Sequence, residues 1–306
     1  MGALKKQGFS VTQIAKHMSR HRSTIYREIQ RNRCFHFDGA YRPSKAQRRT
    51  RARRWRSRRN RHYTDEDFSL VRRFLYHQWS PEQIVGVIHR FRLMKRRMSH
   101  ETIYRYIWQD KAEGGNLWKH LRQSIKRRRK RYRAYDSRGR LADKRHISER
   151  PSSAESRRFV GHWEIDTVMG TGSLDCILTL VERKSGYTLI GKLKNRTTKV
   201  VNKKCIQLLN SEPVKFMSIT ADNGTEFHQY KSIERATGTK FYFATAHHSW
   251  ERGTNENTNG LIRQYLPKGT SMENLTQVQC NRIAEKLNDR PRKRHKFRTP
   301  EEVLYE

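Results

Sequence analysis

The apolar run Ile219-Thr220-Ala221 stops at Asp222-Asn223-Gly224, and that stop constrains the fold more than any other stretch of the chain. A β-forming run closed by Asn-Gly reads as a strand ending in a turn. Asp222 is therefore expected at a strand's carboxyl end, where open α/β sheets collect their ligands. After thirty-three intervening residues, Glu256 opens NENTNGLIRQYL, a helix in which Leu261 with Tyr265 and Ile262 with Leu266 are i,i+4 apolar pairs. At about 100° per residue, Glu256 falls opposite Tyr265, beside Asn259, Gly260 and Arg263, and points away from the core. Asp166 ends the strand-like GHWEID. Three acids on two strands and a helix form a donor set able to hold two divalent cations for phosphoryl transfer.

The charge of the chain names the partner. Sixty-seven Lys and Arg against 29 Asp and Glu give a formal +38 over 306 residues, far more than solubility requires. A polyanion is implied, and a membrane surface is the competing reading. No stretch approaches the roughly 18 apolar residues of a span, Cys176 to Val181 being among the longest apolar runs. Nor does Met1 to Ser10 carry a hydrophobic leader, so the expected location is the cytoplasm. Cys34, Cys176, Cys205 and Cys280 are too widely spaced for a zinc knuckle and too few for a disulfide framework. The adjacent His247 and His248 lack the i,i+4 spacing of a zinc helix.

Ser10 is a candidate N-cap, followed by Val11, Ile14, Ala15 and Met18 at helical spacing. After a turn at Ser19 to His21, RSTIYREIQRN (Arg22 to Asn32) buries Ile25 and Ile29 and leaves Arg22, Ser23, Thr24, Arg27 and Arg31 for solvent or DNA. This is helix-turn-helix logic, with Ser19 where such turns often carry Gly. An ordinary helical hairpin would show the same spacing. Arg42 to Arg61 holds eleven basic residues in twenty and no acid, including Arg53 and Arg54. It reads as a linker that neutralises phosphates and orders only on the duplex.

A second helical unit follows from Thr64 to Asp110. Ser80, Pro81 and Gln83 make a capping box ahead of Ile84, Ile88 and Phe91. Ser99 caps SHETIYRYIWQD, with Ile103 and Ile107 inward and Thr102, Arg105 and Tyr106 on the opposite face. It echoes the first unit, although a dimerisation bundle would have similar spacing. Lys126 to Arg133, with Arg128 and Arg129, is a second basic run inside a polar linker. The boundaries expected are 1–33, a linker 34–62, a second unit 63–110, a linker 111–155 and a catalytic domain 156–306. In that last part HWEIDTV, CILTLVERKSGYTLI with a hairpin turn at Ser185-Gly186, and IGKLKN precede a helix at Lys199 to Leu209. A strand ending at Ala221, a helix near Tyr230 to Ala236, the strand FYFATA and a helix at Leu275 to Leu287 then complete a mixed α/β sheet.

GHWEID, ITADNGTEF and WERGTNENTNGLIRQYLPKG resemble the three blocks around the catalytic acids of DDE transposases of the insertion sequence 30 family. The likeness runs from about Ser10 to Pro300. It implies N-terminal all-α helix-turn-helix modules and an RNase H-like catalytic domain of retroviral-integrase type with a mixed sheet. The catalytic and metal-binding acids would be Asp166, Asp222 and Glu256, with two Mg²⁺ ions for which Mn²⁺ can substitute. Glu251, in the loop before the helix, is the rival third acid. Ile165 departs from the Gly of many relatives, and the family's first helix is expected to be only partly present. The resemblance further implies binding to double-stranded DNA at terminal inverted repeats, DNA cleavage and strand transfer, and a homo-oligomer, at least a dimer, when ends are paired. In HHSWERGTN, Trp250, Arg252 and Asn255 are candidates for stacking and phosphate contact, and Asn259 and Arg263 for contacts along the helix. An inert DNA-binding regulator and a nuclease without strand transfer are the alternative functions.

Overall fold

The computed structural model describes residues 1–34, 38–57, 63–122, 144–246 and 248–306, with backbone alone at 55–57 and at 249. The basic residues Arg128 and Arg129 lie outside these, as does His247. The described chain forms two compact units, Met1–Tyr63 and Thr64–Glu306.

The first unit is helical: α1 (Gly2–Lys6), α2 (Val11–His17), α3 (Arg22–Asn32) and α4 (Pro43–Ser57). Ser10 accepts from the Gln13 amide while Gln13 reaches back to the Ser10 amide, so two orphan N–H groups at the start of α2 are satisfied. Ile14, Ala15 and Ile25 make the core, with Met1, Leu4, Val11 and Ile29 packed against it; Met18 is 40 % exposed. The turn into α3 uses Ser19 at φ 51°, the left-handed conformation that explains why Gly is common there. The presumed linker 34–62 is corrected by α4. Arg, Lys, Ala and Gln favour helix even without acids, and two arginines pin α4 to its neighbour. Arg49 Nη1 donates to the carbonyls of Asn32 and Arg33 at 2.9 and 2.8 Å, and Arg53 Nη2 donates to Asn32 Oδ1 at 2.7 Å. The orphan carbonyls at the end of α3 are thereby satisfied.

The second unit opens with α5 (Asp65–Tyr76), α6 (Pro81–Phe91) and α7 (His100–Ala112). Ser80 and Gln83 form the expected capping box, and Ser99 accepts from the Thr102 amide. Val71, Leu75, Ile84, Ile88, Ile103 and Ile107 are buried. Phe91, expected on the apolar face, is 54 % exposed, because α6 ends at Arg92 in a left-handed turn and the ring lies against the Arg90 guanidinium. Tyr106 also departs from the outward face; it stacks on Phe68 at 4.3 Å and accepts from Arg72 at 2.6 Å.

These helices do not stand as a domain of their own, contrary to the boundary drawn at 110. Gln83 Nε2 donates to the Pro291 carbonyl at 2.7 Å, and Arg90 makes two 3.0 Å bonds to Glu302. The Phe297 ring fills the space beside Gly86, where any Cβ would lie 2.2 Å from it. The second linker is likewise structured where described. Phe243 donates its amide to the Arg145 carbonyl at 2.9 Å, a 3-10 turn spans Ile147–Glu149, and the single turn α8 (Ser152–Ser156) leads into the sheet.

Five strands follow: β1 (His162–Met169), β2 (Cys176–Glu182), β3 (Thr188–Leu193), β4 (Ser218–Ala221) and β5 (Lys240–Phe243). Their order is β3-β2-β1-β4-β5, antiparallel through β3, β2 and β1 and parallel through β1, β4 and β5. This is the RNase H-like arrangement. One face carries α9 (Thr198–Ser211) and α10 (Tyr230–Thr237), whose Val201, Cys205, Leu209 and Ile233 pack on Trp163, Ile165, Ile219 and Phe241. The other carries α11 (Gly253–Ile262) and α12 (Gln277–Asn288), whose Leu261, Ile262, Ile283 and Leu287 cover Val168, Ile177 and Ile190. The tail ends in α13 (Pro300–Leu304). Burial on both faces explains why β2 is apolar almost throughout rather than alternating.

Candidate active site and nucleic-acid interface

Asp222 follows the last residue of β4, as expected; Asp166 lies inside β1, which runs on to Met169. The parallel register pairs Glu164 with Thr220, and two residues further along it sets Asp166 beside Asp222. Both carboxylates turn to one cation. The Arg252 guanidinium lies 3.6 Å from Asp166 Oδ1 and 3.2 Å from Asp222 Oδ2, and it donates to the Ile165 carbonyl at 3.0 Å. Each carboxylate is held from behind by the chain. Asn259 Nδ2 donates to Asp166 Oδ2 at 2.8 Å and the Thr167 amide to Oδ1 at 2.9 Å, while the Gly224 amide donates to Asp222 Oδ1 at 2.9 Å. Burial pushes the Asp166 carboxyl above its ordinary range, the neighbouring Asp222 adds to the effect, and Arg252 opposes it.

A second carboxylate layer lies behind the pair. Glu226 is 4 % exposed, accepts from Thr167 Oγ1 at 2.8 Å, and its Oε2 has no hydrogen-bond partner among the described residues. Gly224 is needed between the two acids, since a Cβ there would stand 2.4 Å from Glu226 Oε2 and 2.8 Å from Asp222 Oδ1. Glu164, fully buried, joins β1 to α11. Its Oε1 accepts from Arg183 at 2.6 Å and its Oε2 from the Asn255 amide at 2.8 Å. Neither residue was singled out in the sequence, although Glu226 follows the Asp222 turn by one helical spacing and Glu164 shares a strand with Asp166.

Residues 2–32 match a family model described as a helix-turn-helix domain. The transposase for insertion sequence element IS4351 of Bacteroides fragilis is 42 % identical over 290 residues, 94 % of this chain and 88 % of the relative. Transposase InsI for insertion sequence element IS30A of Escherichia coli is 38 % identical over 306 residues, 96 % of this chain and 78 % of the relative. The transposase for insertion sequence element IS1086 of Cupriavidus metallidurans is 35 % identical, covering 98 % and 90 %. The chain belongs to the insertion sequence 30 family of DDE transposases.

The transposase is thus a polynucleotidyl transferase that binds DNA and acts on it by a DDE-type, metal-dependent mechanism. Asp166 and Asp222 fit a hard divalent cation, because their oxygens already converge on a positive group, the Arg252 guanidinium standing where an ion would be held. Glu256 is not drawn in with them. It is exposed on α11, and among the described residues no three His, Cys, Asp or Glu side chains are gathered closely enough to hold one ion. The rival Glu251 is engaged elsewhere, accepting from the Thr245 amide at 2.7 Å and from Thr245 Oγ1 at 3.0 Å.

The other residues expected at the DNA divide into two groups. Arg22, Ser23, Thr24, Arg27 and Arg31 are all exposed on α3, and Arg54 and Arg105 are exposed on their helices; Thr102 and Arg53 are half-buried. Trp250 is 69 % exposed and stacks on His248 at 4.4 Å. Asn255 is corrected: it is 1 % exposed, and its Oδ1 accepts from Thr179 at 3.2 Å, so it braces α11 on the sheet. Asn259 holds Asp166, and Arg263, just past α11, donates from its guanidinium to the Met169 and Leu266 carbonyls. Among the described residues no helix is long and apolar enough to cross a membrane.

Proposed function

We propose that this transposase recognises the terminal inverted repeats of its element and cuts and rejoins DNA strands at Asp166, Asp222 and Glu256 with two Mg²⁺ ions, Mn²⁺ substituting. The observation that carries this reading is the pair of aspartates at matched positions on adjacent parallel strands, converging on one positive group. Bound cations would supply Lewis-acid stabilisation of the charge that develops on the phosphate and would sharpen the attacking oxygen. The chain supplies the positioning. Asn259 and the amides of Thr167 and Gly224 fix the carboxylates, and Arg252 neutralises the pair until it is released toward a phosphate. Glu256, on the exposed face of α11, is the third acid. Helices α3 and α7 present the address-reading side chains, with Arg22, Ser23, Thr24, Arg27, Arg31, Thr102 and Arg105 as contacts, and at least two copies join when ends are paired in the cytoplasm.

A strand-transfer assay on element-end oligonucleotides with Mg²⁺ tests the proposal. Wild-type protein is expected to cleave and join. Asp222→Asn is expected to bind the same DNA within a few-fold and do neither. Cleavage without joining would make the protein a nuclease, and binding with no reaction by the intact protein would make it a regulator.

A further inference from the structure

Beside α11 lies a cavity of about 370 Å³ bounded by α6, α11, the residue after α8, the β2–β3 turn at Gly186 and the tail before α13. Four cationic side chains line it, Arg157, Arg292, Lys293 and Arg294, against one acid, Glu82. Glu82 is engaged by Lys293 at 2.6 Å. The three arginines donate hydrogen bonds only to neutral acceptors among the described residues: Arg157 to Thr254 Oγ1 at 3.2 Å, Arg292 to the Leu287 carbonyl at 3.1 Å and Arg294 to His295 Nε2 at 3.0 Å. The guanidinia repel one another, and at Arg294 the buried carboxylates of Glu182 and Glu164 offset part of that repulsion. Burial, reinforced by Arg290, Arg294 and Arg122, pushes the Arg292 group down to about 9.

Two further features favour negative charge in this space. The amino ends of α6, at Ser80, and of α11, at Gly253 and Thr254, both open on it, so their dipoles add to the side-chain charges. Arg157 is also held at φ 52°, a conformation Gly or Asn would adopt more readily. Such an arrangement is complementary to a phosphate, and the volume admits a phosphate with its sugar.

We propose that this cavity binds one backbone phosphate of the DNA strand that reaches the aspartates around α11. The source is argued from α11 itself. Asn257 lines the cavity, the adjacent Glu256 faces solvent, and Asn259 holds Asp166, so one helix touches both places. A strand anchored there is fixed relative to the reacting phosphate, which is how binding away from the chemistry supports it. The inference rests on Asp166, Asp222 and Glu256 being the reacting centre.

The test is a binding cycle by fluorescence anisotropy. A labelled element-end duplex is compared with versions carrying a single neutral methylphosphonate at successive positions, using wild-type protein, Arg157→Gln and Arg157→Gln/Arg294→Gln. Both variants are first checked for wild-type circular dichroism and melting. At one position, or two adjacent ones, the methylphosphonate is expected to weaken wild-type binding by about ten-fold, as for a lost charge-assisted contact, and to weaken the double variant no further. Arg157→Gln alone should show an intermediate loss. Equal methylphosphonate losses in all three proteins at every position would overturn the proposal. Inorganic phosphate raising the wild-type melting point, with no position singled out, would assign the cavity to a free anion and overturn the DNA source. Asp222→Asn should reproduce the wild-type pattern; if it also still cleaves, the catalytic reading fails while the phosphate site stands.

Discussion

Replacing Glu164 by Gln keeps the side chain's shape and removes its charge at the point where β1 meets α11. In the native chain Oε1 receives Arg183 at 2.6 Å and Oε2 receives the Asn255 amide at 2.8 Å. The amide group of a Gln must face one of these two donors, so one hydrogen bond is lost and two donors oppose each other. Arg183, whose side chain is 5 % exposed, would keep the Ala154 carbonyl at 3.0 Å and a long 3.4 Å contact to the exposed Glu155. Breaking a buried ion pair from one side costs roughly 3–5 kcal/mol, and the remaining contacts place Glu164→Gln near the lower end, about 3 kcal/mol. For a unit of this size that is a fall in melting temperature of about 6–12 °C. Urea denaturation followed by tryptophan fluorescence measures it, with Glu306→Gln as the comparison, because that 59 % exposed carboxylate, paired with the partly exposed Arg298, should contribute about 1 kcal/mol or less. Because Asn255 sets the start of α11, cleavage should fall more than DNA binding. Wild-type stability in Glu164→Gln, or an equal loss in Glu306→Gln, would refute the account.

Asp166→Asn, Asp222→Asn and Glu256→Gln should each abolish cleavage and leave end binding within a few-fold in gel-shift assays. Glu251→Gln should stay active, since that carboxylate is committed to Thr245; a dead Glu251→Gln beside an active Glu256→Gln would exchange their roles. Arg252→Ala leaves two adjacent carboxylates without their positive partner, so its melting point should drop in EDTA and recover with Mg²⁺, and a drop that Mg²⁺ fails to reverse counts against the cation-site reading. Arg27→Ala should cost about 1–3 kcal/mol on element ends and much less on random duplex; equal losses, with Arg105→Ala selective, would move address reading to α7. All four cysteines are buried, with the thiols of Cys176 and Cys280 pushed up to about 11 and that of Cys205 to about 12. The folded protein should therefore react with a thiol reagent at pH 8 far more slowly than the denatured one, and four fast equivalents without denaturant would contradict the packing.

What could be read in advance was local. The caps at Ser10, Ser80 and Ser99, the bounds of α3, the hairpin at Gly186 and the strand stop at Asp222 depend on a few neighbouring residues, and each appears in the structure. What escaped depends on partners far along the chain. The helicity of the basic run 43–57 is tied to carbonyls at Asn32 and Arg33. The docking of α6 rests on Pro291, Phe297 and Glu302, some 200 residues away, and polar contacts of that span leave no periodicity. At the site, helical spacing placed Glu256 outward, whereas reading HHSWERGTN as a loop sent Asn255 toward DNA, because loop composition cannot show that Thr179 and Glu164 wait beneath it.

The clasp on α6 has a consequence for the order in which the protein is made. Its partners, from Pro291 to Glu302, leave the ribosome some 200 residues after α6. Throughout that interval Gly86 lacks the Phe297 ring and Arg90 lacks its carboxylate. Late, sequence-distant closure of this kind is slow, and the uncovered surface invites association with other chains. A message cut short before Pro291 would thus yield a product with intact DNA-reading helices and an open flank, prone to clump on the DNA it finds.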